Sequence, residues 1–172
     1  SSPRDFMPYL PILLPGLKTV LLDPIPDVRS TAAKALGSLV RGLGEESLPD
    51  LRSWLIDTLK GDVGSTVERS GAAQGLTEVL IAGGTQVVES VMLEEILPLR
   101  SHPKACTREG VLWVLTFLPS SLGQAFATLI NPSLPALLSG LADENESVRE
   151  VAMRSGRVLV RSHGKAHFEK IL

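Results

Sequence analysis

Four arginines recur along the chain at nearly equal intervals: Arg29, Arg69, Arg108 and Arg149 stand 40, 39 and 41 residues apart. Each is followed three residues on by Ala32, Ala72, Val111 or Ala152, seven on by Leu36, Leu76, Leu115 or Gly156, and ten on by Leu39, Val79, Leu118 or Leu159. Those offsets lie on one stripe of a helix, so each arginine opens an amphipathic helix. A self-similar period of about forty residues identifies one supersecondary unit that recurs, and it constrains the fold more than any other feature of the chain.

A second apolar stretch precedes each arginine: Leu10 to Leu21 in the first unit, Leu51 to Leu59 in the second, Val88 to Leu97 in the third and Leu134 to Leu141 in the fourth. The units are therefore helix pairs, with an A helix followed by an Arg-led B helix. Pro11 and Pro15 fall in the first A helix, and an interior proline removes a hydrogen bond and clashes with the preceding turn, so a break or kink is predicted near Pro15. Between A and B, Asp23, Asp62 and Asp143 stand six or seven residues before the aligned arginine, where they stop helix A and bond to turn amides or to that arginine. Gly42 and Gly44, Gly83-Gly84, Pro119 with Gly123, and Gly164 are the stop signals after the B helices. The repeats run 8–44, 47–83, 86–122 and 126–163, with the start of a fifth at 164–172, in one array over 1–172.

A pair of this size cannot bury both of its apolar stripes alone, so consecutive pairs stack around a shared core and the fold is an all-α solenoid. Abundant Leu and Ala with only 4% aromatic residues agrees with helix over sheet. Gly71, Ala72, Ala73 and Gly75 leave room for neighbouring helices to approach closely. One cysteine cannot form an internal disulfide, no secretory leader pattern is found, and stretches such as Leu10 to Leu22 are interrupted by Pro and Gly before the ~18 residues that cross a bilayer. A reducing compartment and no membrane span are expected. The opening at Ser1 without Met and the ending at Leu172 inside an amphipathic segment read as a piece of a larger chain.

The run Leu134-Pro135-Ala136-Leu137-Leu138, Leu141-Ala142-Asp143, Ser147-Val148-Arg149-Glu150-Val151-Ala152 resembles a HEAT repeat, as does Leu22-Asp23-Pro24 through Asp27-Val28-Arg29 to Gly37. Unit three departs, with His102-Pro103 where the turn Asp is expected. Asp27 to Gly44, Arg69 to Leu76, Leu141 to Arg149 and the opening Ser1 to Leu22 together resemble the general-control-nonderepressible translational activator family. That resemblance covers nearly the whole chain, strongest in 1–44 and 66–80 and weakest in 86–130. It implies a very large cytoplasmic HEAT scaffold that binds ribosomes and promotes activation of the kinase of initiation factor two alpha under amino-acid starvation. The matching part of the family is its central array, related to the HEAT region of elongation factor three, whereas the family's kinase contact lies further toward the C-terminus. The implied partners are the ribosome, through ribosomal RNA phosphates or ribosomal proteins, and translation-factor or kinase partners of the full-length protein.

The net charge of −2 argues against a dedicated nucleic-acid binder, but charge is segregated: residues 149–170 carry six Lys/Arg against two Glu, a local +4, and the rest of the chain is −6. Arg154, Arg157 and Arg161 fall within about 60° on a helical wheel and form a basic ridge. Two readings stand beside each other: a contact with phosphates or an acidic partner, or a solvated face with a Glu150–Arg154 pair. Lys34, Gln74, Trp113 and Arg154 all lie five residues after an anchor and make one outward row, with Arg41 extending its basic character near Lys34. Trp113 in that row is either an exposed interface anchor or a residue packed on its neighbours.

Nothing in the sequence assembles an active site, and no cofactor or metal is expected. His163 and His167 have metal-pair spacing but no Cys or carboxylate cluster joins them, and Gly164 between them reads as a helix stop. The Gly61 to Thr66 turn lacks the Lys of a phosphate loop, Cys106 takes a core register and reads as a buried structural thiol, and Glu45-Glu46 and Glu94-Glu95 read as solvated faces. The alternative to a translation scaffold is a HEAT adaptor of the nuclear-transport or phosphatase-scaffold kind that grips a protein or peptide.

Overall fold

The computed structural model describes residues 3–61 and 64–165; Asp62, His167 and most of the fifth-repeat start over 164–172 lie outside them. Among the described residues all regular structure is helical. A 3₁₀ segment, Pro3–Tyr9, leads into α1 (Leu10–Leu21), α2 (Pro26–Leu43), α3 (Leu51–Lys60) and α4 (Thr66–Gly83). Then come α5 (Thr85–Val91), a π turn over Met92–Ile96, a 3₁₀ segment over Leu97–Ser101, α6 (Ala105–Leu122), α7 (Ala127–Leu141) and α8 (Glu146–Leu159), which runs on into a π turn over Val160–Gly164. The chain divides within α5 into two compact units, one ending at Val88 and one beginning at Glu89.

In the first unit α1 pairs with α2 and α3 with α4, and α2 packs along α4. In the second, α6 pairs with the 97–101 segment, α7 pairs with α8, and α6 packs along α8. B helix on B helix is the stacking mode of an α-solenoid, and it is driven by the stripe read from the sequence. Ala32, Leu36, Ala72, Leu76, Val79, Val111, Leu115 and Leu118 are 0–2% exposed. Truncating Leu36 or Leu76, both fully buried, to Ala removes about 2–5 kcal/mol. In α8 the stripe is weaker, since Gly156 and Leu159 are only half-buried.

Small residues set the close approaches. A Cβ on Gly71 would stand 2.1 Å from the carbonyl oxygen of Leu21, and one on Gly75 would stand 2.8 Å from a Leu21 methyl. Between the A helices of the first unit, Lys18 Nζ lies 4.9 Å from the ring centre of Trp54.

Several local expectations are corrected. Of the break or kink expected near Pro15, the break does not occur: α1 is continuous through Pro15, and Pro15 and Pro11 are exposed, so the carbonyl that Pro15 cannot bond is left to water. Pro119 does not stop helix B of unit three, which runs to Leu122 and ends at Gly123 with φ +65°. Gly164 is no stop either; it closes a π turn and Lys165 after it keeps helical dihedrals. The third A helix is regular only to Val91, and around Pro98, which withholds one N–H, it passes into π and 3₁₀ turns. Finally, Ala105–Leu141 is apolar and long enough by composition to span a membrane. It is two helices joined at Gly123, and α6 is the core helix of its unit with residues Gly110 to Thr116 all buried, which accounts for its composition.

Candidate functional site

The anchor arginines are structural, and they read backbone. Arg29 Nη1 donates to the carbonyls of Asp23 (2.8 Å) and Pro24 (2.9 Å), and Arg108 Nη1 to those of His102 (2.8 Å) and Pro103 (3.0 Å). Arg149 Nη1 reaches the Asp143 carbonyl at 2.7 Å and Arg69 Nη1 the Gly64 carbonyl at 3.2 Å. Each B helix thus pins the turn that leads into it. The turn carboxylates do a separate job: Asp23 Oδ1 accepts from the Ile25 N–H at 2.9 Å and Asp143 Oδ1 from the Asn145 N–H at 2.9 Å. His102 takes the corresponding place in unit three, its Nδ1 accepting from the Lys104 N–H at 3.1 Å. The departure of unit three is therefore a substitution of acceptor, because the arginine contacts need only carbonyls, which every residue supplies.

The contact that sequence reasoning missed joins successive pairs. Arg108 Nε donates to Asp143 Oδ2 at 2.8 Å and Nη2 to Oδ1 at 3.0 Å, with the two side chains 14% and 9% exposed. The hydrogen bond from Arg108 holds the Asp143 carboxyl below its ordinary value; burial opposes this, and the Asn145 N–H adds to it. The same bond keeps the Arg108 guanidinium more firmly protonated. The available signal was positional: the Asp six residues before one anchor pairs with the anchor of the preceding unit. Deeper between α6 and α8, Ser155 Oγ donates to the Leu112 carbonyl at 2.5 Å and shares a hydrogen bond with Thr116 Oγ1 at 2.7 Å. Ser147 bonds the carboxylate of Glu109, which is 1% exposed.

Arg154, Arg157 and Arg161 are exposed, as are Lys34 and Arg41. Trp113 is not: it is 5% exposed, and the reading of it as an exposed anchor is overturned. The Arg154 guanidinium sits 5.4 Å over its ring and Phe117 stacks on it at 6.1 Å, so the next B helix covers the outward row at this position. Arg157 and Arg161 border a shallow, open, largely apolar groove with Leu141, Met153, Gly156 and Val160.

The remaining chemistry-bearing residues are engaged structurally. His163 is buried, with Nε2 2.8 Å from the Gly123 carbonyl, Nδ1 2.9 Å from Ser162 Oγ and its ring tilted on Phe126. Glu45 pairs with Arg52 at 2.5 Å, and Cys106 is half-buried rather than buried. Among the described residues no cluster of three or more His, Cys, Asp or Glu could hold a metal.

Stacked, Arg-locked helix pairs of about forty residues define an α-solenoid of the HEAT class, and the HEAT repeat family model matches residues 13–43. The chain is 53% identical over 163 residues to Protein ILITYHIA of Arabidopsis thaliana (95% of this chain) and 47% identical over 172 residues to eIF-2-alpha kinase activator GCN1 of Dictyostelium discoideum (100%). It is 41% identical over 173 residues to Stalled ribosome sensor GCN1 of Homo sapiens (100%). It is thus a homologue, end to end, of one segment of the general-control-nonderepressible translational activators, and it spans 6% of the length of each of these relatives. No solved structure matches the chain.

Proposed function

We propose that this chain is a non-catalytic HEAT scaffold segment of a cytoplasmic, ribosome-binding translational activator that promotes activation of the initiation factor two alpha kinase in amino-acid starvation. The observation that carries this reading is the match of the whole chain, at 41–47% identity, to proteins whose names contain "eIF-2-alpha kinase activator" and "Stalled ribosome sensor". The repeats at 8–44, 47–83, 86–122 and 126–163 act as spacers with a readable surface. Ribosome and kinase are partners of the full-length protein. Within this segment, the exposed arginines of α8 and its extension, Arg154, Arg157 and Arg161, are the contact for ribosomal RNA phosphates, with Lys34 and Arg41 as further exposed cations. A protein- or peptide-gripping adaptor anchored at Trp113 is disfavoured, because the indole is buried.

Co-sedimentation of the chain with purified ribosomes tests the reading, comparing wild type with Arg154, Arg157 and Arg161 all changed to Glu, and with circular dichroism confirming that both fold. Wild type is expected to pellet with ribosomes at about 50 mM salt and to be released by about 200 mM, as phosphate contacts require. The triple variant is expected to stay in the supernatant. Equal pelleting of both proteins, or of neither, rules out the ridge as a ribosome contact.

A further inference from the structure

Among the described residues, Arg154 is held in a way that the other two arginines of its ridge are not. Its guanidinium carbon lies 5.4 Å from the centre of the Trp113 ring, and it makes no hydrogen bond or ion pair. The Glu150–Arg154 pair that the i, i+4 spacing allows is therefore not formed. Arg157 and Arg161 are exposed with neither a ring nor a carboxylate against them.

The indole is a fixed platform. Trp113 is 5% exposed, Leu112 and Val114 on either side of it are buried, and Phe117 stacks on the ring at 6.1 Å with the two planes 19° apart. Arg154 reaches it from α8, which packs along α6. The register of the two is pinned one residue away on each helix, where Ser155 Oγ donates to the Leu112 carbonyl at 2.5 Å.

An aromatic face attracts a cation through its quadrupole and takes none of its N–H groups. The anchor arginines spend donors on turn carbonyls, and Arg108 spends two more on Asp143. Arg154 keeps all five of its donors together with its charge. A long side chain loses rotamer freedom when it clamps a ligand, and the ring removes part of that loss in advance.

We propose that Trp113 is the positioning residue of the ridge, holding the Arg154 guanidinium with its donors unspent for a bidentate contact with a phosphate of ribosomal RNA. This rests on the reading of Arg154, Arg157 and Arg161 as the ribosome contact, and it ranks Arg154 above the other two. It also gives the buried indole a task besides core packing.

Titration of the full 172-residue chain with purified ribosomes at about 50 mM salt, read by co-sedimentation, tests this. Arg154→Ala is expected to weaken binding about tenfold and Arg161→Ala by less. Trp113→Leu is expected to weaken it about two- to fivefold, and Trp113→Phe, which keeps a ring beneath the cation, much less. The double variant Trp113→Leu with Arg154→Ala is expected to bind no more weakly than Arg154→Ala alone, because the indole acts through the arginine. A Trp113 with only a structural role would add its loss to that of Arg154→Ala, and that result overturns the proposal. Equal losses for Arg154→Ala and Arg161→Ala also overturn it, and both substitutions are at exposed positions, so the comparison holds even if Trp113→Leu disturbs folding. A wild type that does not pellet overturns the ridge reading and this inference together. Binding that the ridge substitutions weaken, with additive losses at Trp113, leaves the ridge standing and removes the indole from it.

Discussion

Arg108 and Asp143, thirty-five residues apart in sequence, form a two-point ion pair between successive helix pairs, with N···O distances of 2.8 and 3.0 Å. The lock is largely shielded from water, and the arginine simultaneously holds the two carbonyls of its own turn. One side chain therefore sets both the A–B turn and the stacking of the next pair. Changing Asp143 to Asn is expected to lower the unfolding free energy by about 1–3 kcal/mol, the cost of leaving shielded guanidinium donors poorly paired.

That contribution depends on pH in a definite sense. Asp143 titrates below the ordinary carboxyl value of 3.8 in the folded chain, so the unfolded state takes up protons first as pH falls. Its stabilisation is fully present above the ordinary value and is lost as pH drops through the lower folded one. Urea midpoints of wild type and Asp143→Asn should differ by a constant amount near neutrality and converge in acid; a gap undiminished at the lowest pH at which both remain folded contradicts the assignment.

Gly71 and Gly16 separate packing from propensity. A methyl on Gly71 would meet the Leu21 carbonyl at 2.1 Å, and one on Gly16 meets nothing within 4 Å. Gly71→Ala is expected to cost about 1–3 kcal/mol through forced separation of α1 and α4, whereas Gly16→Ala is expected to stabilise by up to about 1 kcal/mol through helix propensity. Chemical denaturation of the two variants reads both signs.

Trp113→Ala is expected to act on stability. Removing a side chain that is 5% exposed opens a cavity worth about 3–5 kcal/mol, so thermal unfolding should shift strongly. A variant of unchanged melting temperature would return the indole to the surface.

His102 offers a test of the turn. If its ring nitrogen stands in for a carboxylate oxygen toward the Lys104 N–H, His102→Asp should leave the denaturation midpoint nearly unchanged while His102→Ala loses about 1 kcal/mol. Equal losses in both would assign the ring a packing role instead.

The helix pairs, the buried +3, +7 and +10 stripe and the close approach at Gly71 and Gly75 were legible in the sequence, because apolar periodicity and small-residue placement are local patterns repeated every forty residues. The partners of the anchors were legible only in kind. An Asp and an Arg six residues apart suggest a contact within one turn, yet the arginine takes carbonyls there and the carboxylate goes to the preceding unit, a choice made by the stacking of α6 on α8. The continuity of α1 through Pro15 and of α6 through Pro119 depends on which carbonyls face water and which faces are packed. No propensity carries that information.

The surface divides in the same way. That Arg154, Arg157 and Arg161 share one side of a helix follows from spacing alone, and they are exposed as spacing required. Whether an outward register stays outward does not follow, because the adjacent helix can supply a cover: Arg154 closes over Trp113 and removes it from solvent. Sequence by itself determined the period, the helix faces and the class of fold, all consequences of backbone geometry within one unit. Tertiary structure decided which polar groups meet across units and which exposed stripes are covered, because those depend on the packing distance and register between helices far apart in the chain.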